Sequence, residues 1–365
     1  MLSPKAKRNI SRIIPFGLIW FFTALVFFIV EKAAIGDSDS PSTAIEISFE
    51  IFIFGMTIIT CLGLLVGAIE IFYMDKAFAK LSFSKKIFYK IIIYLLMLFV
   101  VTIITFPIAA SLELNKTIFD SKVWDKLFLY LTSFTHFSTD LQTIVSLTLS
   151  IFYFEISENI GHRILINFFT GKYHSPTVEK RIFMFTDMKS STTIAEKLGH
   201  IKYFELLKVY YNDLSEAIIE YSGEIYQYVG DEIVVSWKFK EGINNNNCLK
   251  CYFAMKEDLR KRERWYLEEF GIFPNFKAGF HFGQVTTGEI GALKKEIIFT
   301  GDVLNSTARI QGLCNDYKVD LLVSKDLIKS LNLESEYHIK SLGKKELRGK
   351  TEKIELYTIV KDYIS

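Results

Sequence analysis

The sequence predicts an α-helical transmembrane domain of four helices followed by an α+β domain of the ferredoxin-like kind. Three observations carry this expectation. Half of the 365 residues are apolar and the mean hydropathy is positive, which is high for a chain surrounded only by water. The apolar residues of the first half fall into stretches long enough to cross a bilayer, which takes about 20 residues of helix. From Arg181 onward the pattern changes to short β-rich runs alternating with amphipathic helical stretches.

The expected spans are Ile13–Val30, Ile51–Tyr73, Ile91–Ala110 and Phe134–Phe154. The first is too continuous, and too poor in a small-residue cleavage site, to read as a removed signal peptide. Lys5, Lys7, Arg8 and Arg12 precede it, and Lys76, Lys80, Lys85, Lys86 and Lys90 lie between the second and third spans. The first connection instead carries Glu31, Asp37, Asp39 and Glu46 with one lysine. The positive-inside rule then puts both chain ends in the cytoplasm, below a plasma (inner) membrane with lipid as partner. Glu50, Glu70, His136, Asp140 and Gln142 lie within or near the spans. Acids in hydrocarbon are costly and often functional; these three sit near span ends, where they can reach the interface or hydrogen-bond between helices, with a ligand- or ion-sensing role as the other reading.

Residues 1–154 are therefore expected to form the membrane domain, 155–178 a transducing segment broken at Gly171 and Pro176, and 179–365 the cytoplasmic domain. A net charge of +2 gives no basis for nucleic-acid binding. The cysteines are Cys61, Cys248, Cys251 and Cys314. A single CxxC on a helical stretch, with no second pair, reads as reduced thiols rather than a zinc site.

Within the second half, Ile182–Phe185 reads as a buried strand and Ser191 to Tyr221 as helix with a break near Gly199. GEIYQYVGDEIVVSW reads as a hairpin turning at Gly230-Asp231. Cys248 to Phe270 reads as helix, FKAGFHFGQVTTGEIG as two strands with a turn at Gly283, and the C-terminal SLGKKELRGKTEKIELYTIV as another hairpin. The order β-α-β-β-α-β places the first strand beside the second strand of the first hairpin. That arrangement brings Asp187, at the end of the first strand, toward Asp231, at the hairpin tip. Two carboxylates on rigid elements suit Mg²⁺ or Mn²⁺, ions that complete their shells with water and phosphate oxygens. The helix starting after Asp187 offers backbone N–H groups to an anion.

FTDMKSST, YQYVGDEIV, AGFHFGQVTTGEIG and FTGDVLNSTARI, in that order, resemble the motifs of the class III nucleotidyl cyclases, the adenylate and guanylate cyclase family, over about residues 179–360. The resemblance implies a membrane-anchored cyclase that turns a nucleoside triphosphate, ATP first, into a 3′,5′-cyclic nucleotide and pyrophosphate. It implies two Mg²⁺ or Mn²⁺ per site on Asp187 and Asp231, and a transition-state pair, Asn305 and Arg309, four residues apart on one helix face. Arg348, in LRGK, matches the basic position that grips the triphosphate. The family builds its site between two such domains; with one here, a homodimer is implied, with helix movements in the membrane regulating how the domains meet.

The base-reading positions depart from the family. They hold Gln227 and Ile298, where adenylate cyclases usually have Lys with Asp or Thr and guanylate cyclases have Glu and Cys. Gln reads either purine, and Thr300 stands nearby. Adenine is expected from the prevalence of cyclic AMP among bacterial members, with guanine or a pyrimidine open. A catalytically silent sensor or scaffold, a diguanylate cyclase and a transporter are the competing classes. The presence of Asp187, Asp231, Asn305 and Arg309, the lack of a GGDEF sequence and the absence of an internal repeat weigh against them in turn.

Overall fold

The computed structural model describes residues 3–35, 48–79, 81–333, 336–347 and 353–361. Asp37, Asp39, Glu46, Lys80 and Arg348 lie outside them. The chain forms two units, one of Ala6–Ile166 and one centred on Asn167–Ser365.

The first unit contains α1 (Pro4–Ile35), α2 (Phe49–Ile69), a π-helical turn (Glu70–Met74) running into α3 (Asp75–Ala77), α4 (Phe83–Leu114), α5 (Ser121–Leu131) and α6 (Phe134–Ile160). Among the described residues three helices are long and apolar enough to cross a membrane, Pro4–Ala33, Phe49–Ala77 and Phe83–Leu114. The fourth expected span lies in α6, whose Ser, Thr, His, Asp and Gln residues leave it more polar than the others. Its hydroxyls have partners: Trp20 Nε1 donates to Ser150 Oγ at 3.1 Å, and the Thr23 and Ser146 hydroxyls are 2.7 Å apart. Leu147, Ile151 and Phe154 of α6 pack with Phe16, Trp20, Val66 and Tyr94 in one buried cluster. Glycines let α1 approach α2. A Cβ on Gly63 would lie 2.7 Å from Trp20 Cγ, and one on Gly67 would lie 2.9 Å from Phe16, the close approach that small residues permit between membrane helices. Helix α5, capped at its start by Asp120, was not expected.

Glu70 makes an interhelical contact, one of the readings the sequence left open for it. It is fully buried and pairs with Lys90, itself fully buried, while the Tyr94 hydroxyl donates to its other oxygen at 2.7 Å. Lys90 also meets Glu155 at 3.1 Å, and Lys86 meets Glu155 at 2.8 Å. Arg12 meets Glu158 at 2.5 Å. Charges buried this way are tolerated only when paired. They tie α1, the turn after α2, α4 and α6 together at the lysine-rich end of the bundle. His136 and Asp140 face each other at 3.5 Å on α6.

The second unit begins after α7 (His162–Phe169) with β1 (Thr177–Met188), followed by α8 (Ser191–Leu198), α9 (His200–Glu220), β2 (Glu224–Val229), β3 (Glu232–Lys238), α10 (Phe239–Ile243), α11 (Asn247–Lys261) and α12 (Glu263–Phe270). Next come β4 (Phe276–Ile290), β5 (Glu296–Thr300), α13 (Asp302–Gly312), α14 (Cys314–Tyr317), β6 (Leu321–Ser324), α15 (Lys325–Ser330), β7 (Tyr337–Glu346) and β8 (Lys353–Lys361). The sheet runs β2-β3-β1-β4-β6-β8-β7, with β5 paired to β4. The first four strands keep the ferredoxin-like order, β1 flanked by β3 and β4, both antiparallel.

Alternation along β1 divides the core. Ile182 and Met184 face α9 and α11, packing with Leu206, Tyr210, Cys248 and Cys251. Phe183 and Phe185 face the other side, with Val234, Val285 and Val303 of α13. Cys248 and Cys251 are thus core thiols, and burial pushes the Cys248 thiol up to about 12.

The expected turn at Gly283 is absent. β4 runs unbroken for 15 residues, and Gly283 sits opposite Arg181 in the β1 ladder. Its missing side chain makes room for α13, since a Cβ there would come 3.1 Å from Val303. Gly279, four residues earlier, is tighter still, with a Cβ 2.4 Å from the Gln311 backbone nitrogen. These glycines serve helix packing against a strand rather than a reversal.

Candidate active site

Strand β1 ends where it can present an acid. Asp187 pairs with Lys277 across the β1–β4 ladder, and Lys277 Nζ lies 3.3 Å from Asp187 Oδ2. Asp231 occupies the β2–β3 turn beside Gly230, which has φ +62°, a conformation that favours glycine. Tyr211 of α9 donates its hydroxyl to the Gly230 carbonyl, and the Tyr211 and Tyr228 rings lie 4.6 Å apart, which holds the turn against the helix. Asp231 Oδ2 accepts from the Met188 amide at 3.2 Å. The two acids named from the sequence are therefore brought together.

Their electrostatics follow from that closeness. Partial burial first, then the charge of Asp187 and a shared hydrogen bond with it, raise Asp231 above the ordinary carboxyl range, with Ser191 opposing. Glu232 was not singled out from the sequence. Burial and the charges of Asp187 and Asp231 push it up to about 7. Its signal was in plain view, as the acid after Asp231 in VGDE. Lys277 was invisible in the sequence, because only strand register sets it opposite Asp187.

Three close carboxyl groups cost free energy unless protons or cations offset them. Among the described residues no group of three His, Cys, Asp or Glu side chains is placed to hold an ion. Asp187 and Asp231 thus fit a hard divalent cation only as two of its ligands, with water and phosphate oxygens supplying the rest. The donor set is all oxygen, which suits Mg²⁺ or Mn²⁺ rather than zinc. Next to it, α8 starts after Ser190 with no side-chain cap on its first amides, which leaves those donors for solvent or an anion.

Gln227 owes its orientation to a bulge. The ladder pairs Ile225 with Val235 and then Gln227 with Val234, so that Tyr226 is the extra residue. Without it Gln227 would lie opposite Ile233, on the α9 side; the slip moves it to the side of Val234 and α13. Ile298 and Thr300 lie on β5 opposite Gly288 and Thr286, and Thr300 Oγ1 donates to the Thr286 carbonyl at 3.3 Å. Gln227 and Ile298 are on strands that do not pair. The link between those strands is Tyr226 and Phe299, whose rings are 4.8 Å apart.

Helix α13 buries Val303, Ser306, Thr307 and Ile310 against the sheet. Asn305 is exposed and Arg309 half-buried on its remaining surface. Among the described residues the Arg309 guanidinium has no hydrogen bond or ion pair. Arg348 lies outside the described residues.

A ferredoxin-like sandwich with paired aspartates where β1 meets a hairpin, and an Asn/Arg pair on a helix over the same sheet, is a catalytic α+β domain carried behind apolar helices. Residues 174–361 match the adenylate and guanylate cyclase catalytic domain, and the chain belongs to that family. It is 29% identical over 215 residues to Adenylate cyclase 2 of Rhizobium meliloti (strain 1021), covering 59% of this chain and 59% of that protein. It is 26% identical over 189 residues to the Adenylate cyclase of Anabaena cylindrica, covering 50% of this chain and 37% of that protein. The matches thus span less than two thirds of these relatives' own length. A solved bacterial light-regulated adenylyl cyclase shares the fold, with a TM-score of 0.53 and 19% identity over 62% of this chain and 66% of that chain.

Proposed function

We propose that the protein is a membrane-anchored adenylate cyclase that forms 3′,5′-cyclic AMP and pyrophosphate from ATP at the interface of a homodimer. The observation that carries this reading is the convergence of Asp187 and Asp231 beside the uncapped start of α8. In this reading the two aspartates hold two Mg²⁺ or Mn²⁺ ions, which when bound lower the pKa of the ribose 3′-hydroxyl and offset the charge of the leaving pyrophosphate. The α8 amides cradle the polyphosphate. The 3′-hydroxyl gives up its proton to solvent, and its oxygen displaces pyrophosphate from the α-phosphorus. Arg309 offsets the charge that develops on the α-phosphate oxygens, and Asn305 orients the ribose. Arg348 grips the triphosphate, and Gln227 with Ile298 or Thr300 borders the base.

The dimer is supported by Asn305 and Arg309, which present polar groups away from their own core and match family positions that serve the partner's nucleotide. The membrane helices anchor the enzyme in the cell's inner membrane. The lysine-rich end of the bundle, with both chain ends and the catalytic domain, lies on the cytoplasmic side by the positive-inside rule. Purified full chain in detergent with Mn²⁺, offered ATP, GTP, CTP and UTP separately, should release cyclic AMP identified by mass. A different cyclic nucleotide would replace the adenine assignment, since Gln227 and Ile298 match neither usual base set. No product from any of the four would overturn the enzyme reading.

A further inference from the structure

A buried cation sits beneath the two strands that border the base. Arg181 of β1 is 1% exposed, yet it is not one of the residues assigned to chemistry. Its guanidinium donates to Glu224 of β2 at 2.7 Å, to Ser236 of β3 at 2.9 Å and to Glu179 at 3.1 Å. The same guanidinium lies 4.6 Å from the centre of the Phe299 ring. Phe299 is the residue between Ile298 and Thr300. Its ring also meets Phe183 edge-on at 5.5 Å and Tyr226 at 4.8 Å, and its amide donates to the Tyr226 hydroxyl at 3.4 Å. Tyr226, in turn, is the bulge residue that turns Gln227 to its present side of the sheet.

We propose that Arg181, Phe299 and Tyr226 form a positioning bridge that sets the gap between Gln227 and the Ile298–Thr300 strand, and so controls which base the enzyme accepts. This rests on the cyclase reading above and deepens it. The physical argument is one of anchoring. β2 is an edge strand and β5 hangs from the end of β4; they share no ladder. Each strand is held by a ladder to its own neighbour, so the gap between them is spanned by side chains, and those side chains converge on a guanidinium that Glu224, Ser236 and Glu179 hold. A planar guanidinium can hold carboxylates along its edge while its face rests on a ring, which fixes orientation as well as charge. The bridge is also remote from the acids. Arg181 and Asp187 are six residues apart on β1, about 20 Å at strand rise. Loosening the bridge should therefore alter discrimination between bases more than the phosphate chemistry that both substrates share.

The test uses the full chain in detergent with two variants that spare the buried charges, Tyr226→Phe and Phe299→Leu. Two quantities are measured for each: the ratio of kcat/KM for ATP to that for GTP, and the ratio of Kd values for 2′,3′-dideoxy-ATP and 2′,3′-dideoxy-GTP, which lack the attacking hydroxyl. Losing one hydrogen bond in Tyr226→Phe should move both ratios by about two- to tenfold, with the Mn²⁺ dependence and thermal midpoint of wild type. Phe299→Leu should move them further in the same direction. Ratios unchanged in both variants, or an equal loss for both purines, would overturn the proposal while leaving the cyclase reading intact. A wild type that turns over nothing but binds the analogues leaves the Kd ratio to decide. A wild type that binds neither analogue overturns both.

Discussion

The amide of Met188 donates to Oδ2 of Asp231 at 3.2 Å, joining the end of β1 to the tip of a hairpin 43 residues later. The residue before Met188 is Asp187, so this hydrogen bond helps to hold together two acids whose charges repel. Asp231 therefore serves both the fold and the candidate site, while Asp187, which meets Lys277 at 3.3 Å and shares a hydrogen bond with Asp231, anchors no backbone turn among the described residues and is the better one to test.

Asp187→Asn should lower turnover by at least about 10²-fold, the scale for removing one preorganised electrostatic contact. Far-UV circular dichroism should be unchanged, and higher Mn²⁺ should recover part of the loss. Full activity at low Mn²⁺ would remove Asp187 from the cation site.

Arg309→Ala should reduce kcat by about 10²–10³-fold with a smaller change in KM, because in the proposed mechanism it acts on charge that appears only in the transition state. Its side chain has no hydrogen bond or ion pair among the described residues, so the thermal midpoint should not move. A rise in KM at constant kcat would reassign it to ground-state binding.

Mixing the two inactive variants tests the dimer directly. If Asp187 and Arg309 of one site come from different subunits, half of randomly mixed dimers are mixed and each regains one of two sites, or about a quarter of wild-type activity. No recovery after co-expression would place both residues in one subunit's site.

Glu232 supplies a pH dependence with a definite sign. Burial and the charges of Asp187 and Asp231 raise its carboxyl from the ordinary 4.5 to about 7. Between those values the folded chain keeps a proton that the unfolded chain has released. Stability in EDTA should therefore fall as pH rises from about 4.5 to about 7 and level off above. Glu232→Gln should flatten much of that slope, leaving the part due to Asp231, and thermal midpoints at four pH values would show it. An identical slope in the variant would separate Glu232 from the effect.

In the membrane unit, Lys90→Met should cost about 3–5 kcal/mol, since it leaves Glu70 charged and buried without its cation, while Glu155 keeps Lys86 at 2.8 Å. The double variant with Glu70→Gln should recover most of the loss, as read by thermal unfolding in detergent. An additive, still larger loss in the double variant would show that the charges are not mutually compensating.

The sequence by itself determined the broad plan. Long apolar stretches, strand and helix periods, the Gly-Asp turn and the order of four motifs are local signals, each readable from neighbours within a few residues. They were enough for the membrane helices, for the sandwich, and for the family to which the chain belongs. Only the tertiary structure decided what depends on residues distant in the chain. Gly283 looked like a turn and is mid-strand, because what demands a glycine there is Val303 of a helix packed on it. Glu70 read as an acid bound either for the interface or for a partner on another helix, and it is the second, because Lys90 and Tyr94 of α4 satisfy it. Gln227 faces its present side because one residue bulges out of the ladder, and Lys277 opposes Asp187 because of register alone. Side-chain pairing across strands and helices is a property of packing, and a one-residue slip in register, which leaves every local pattern unchanged, would reverse it.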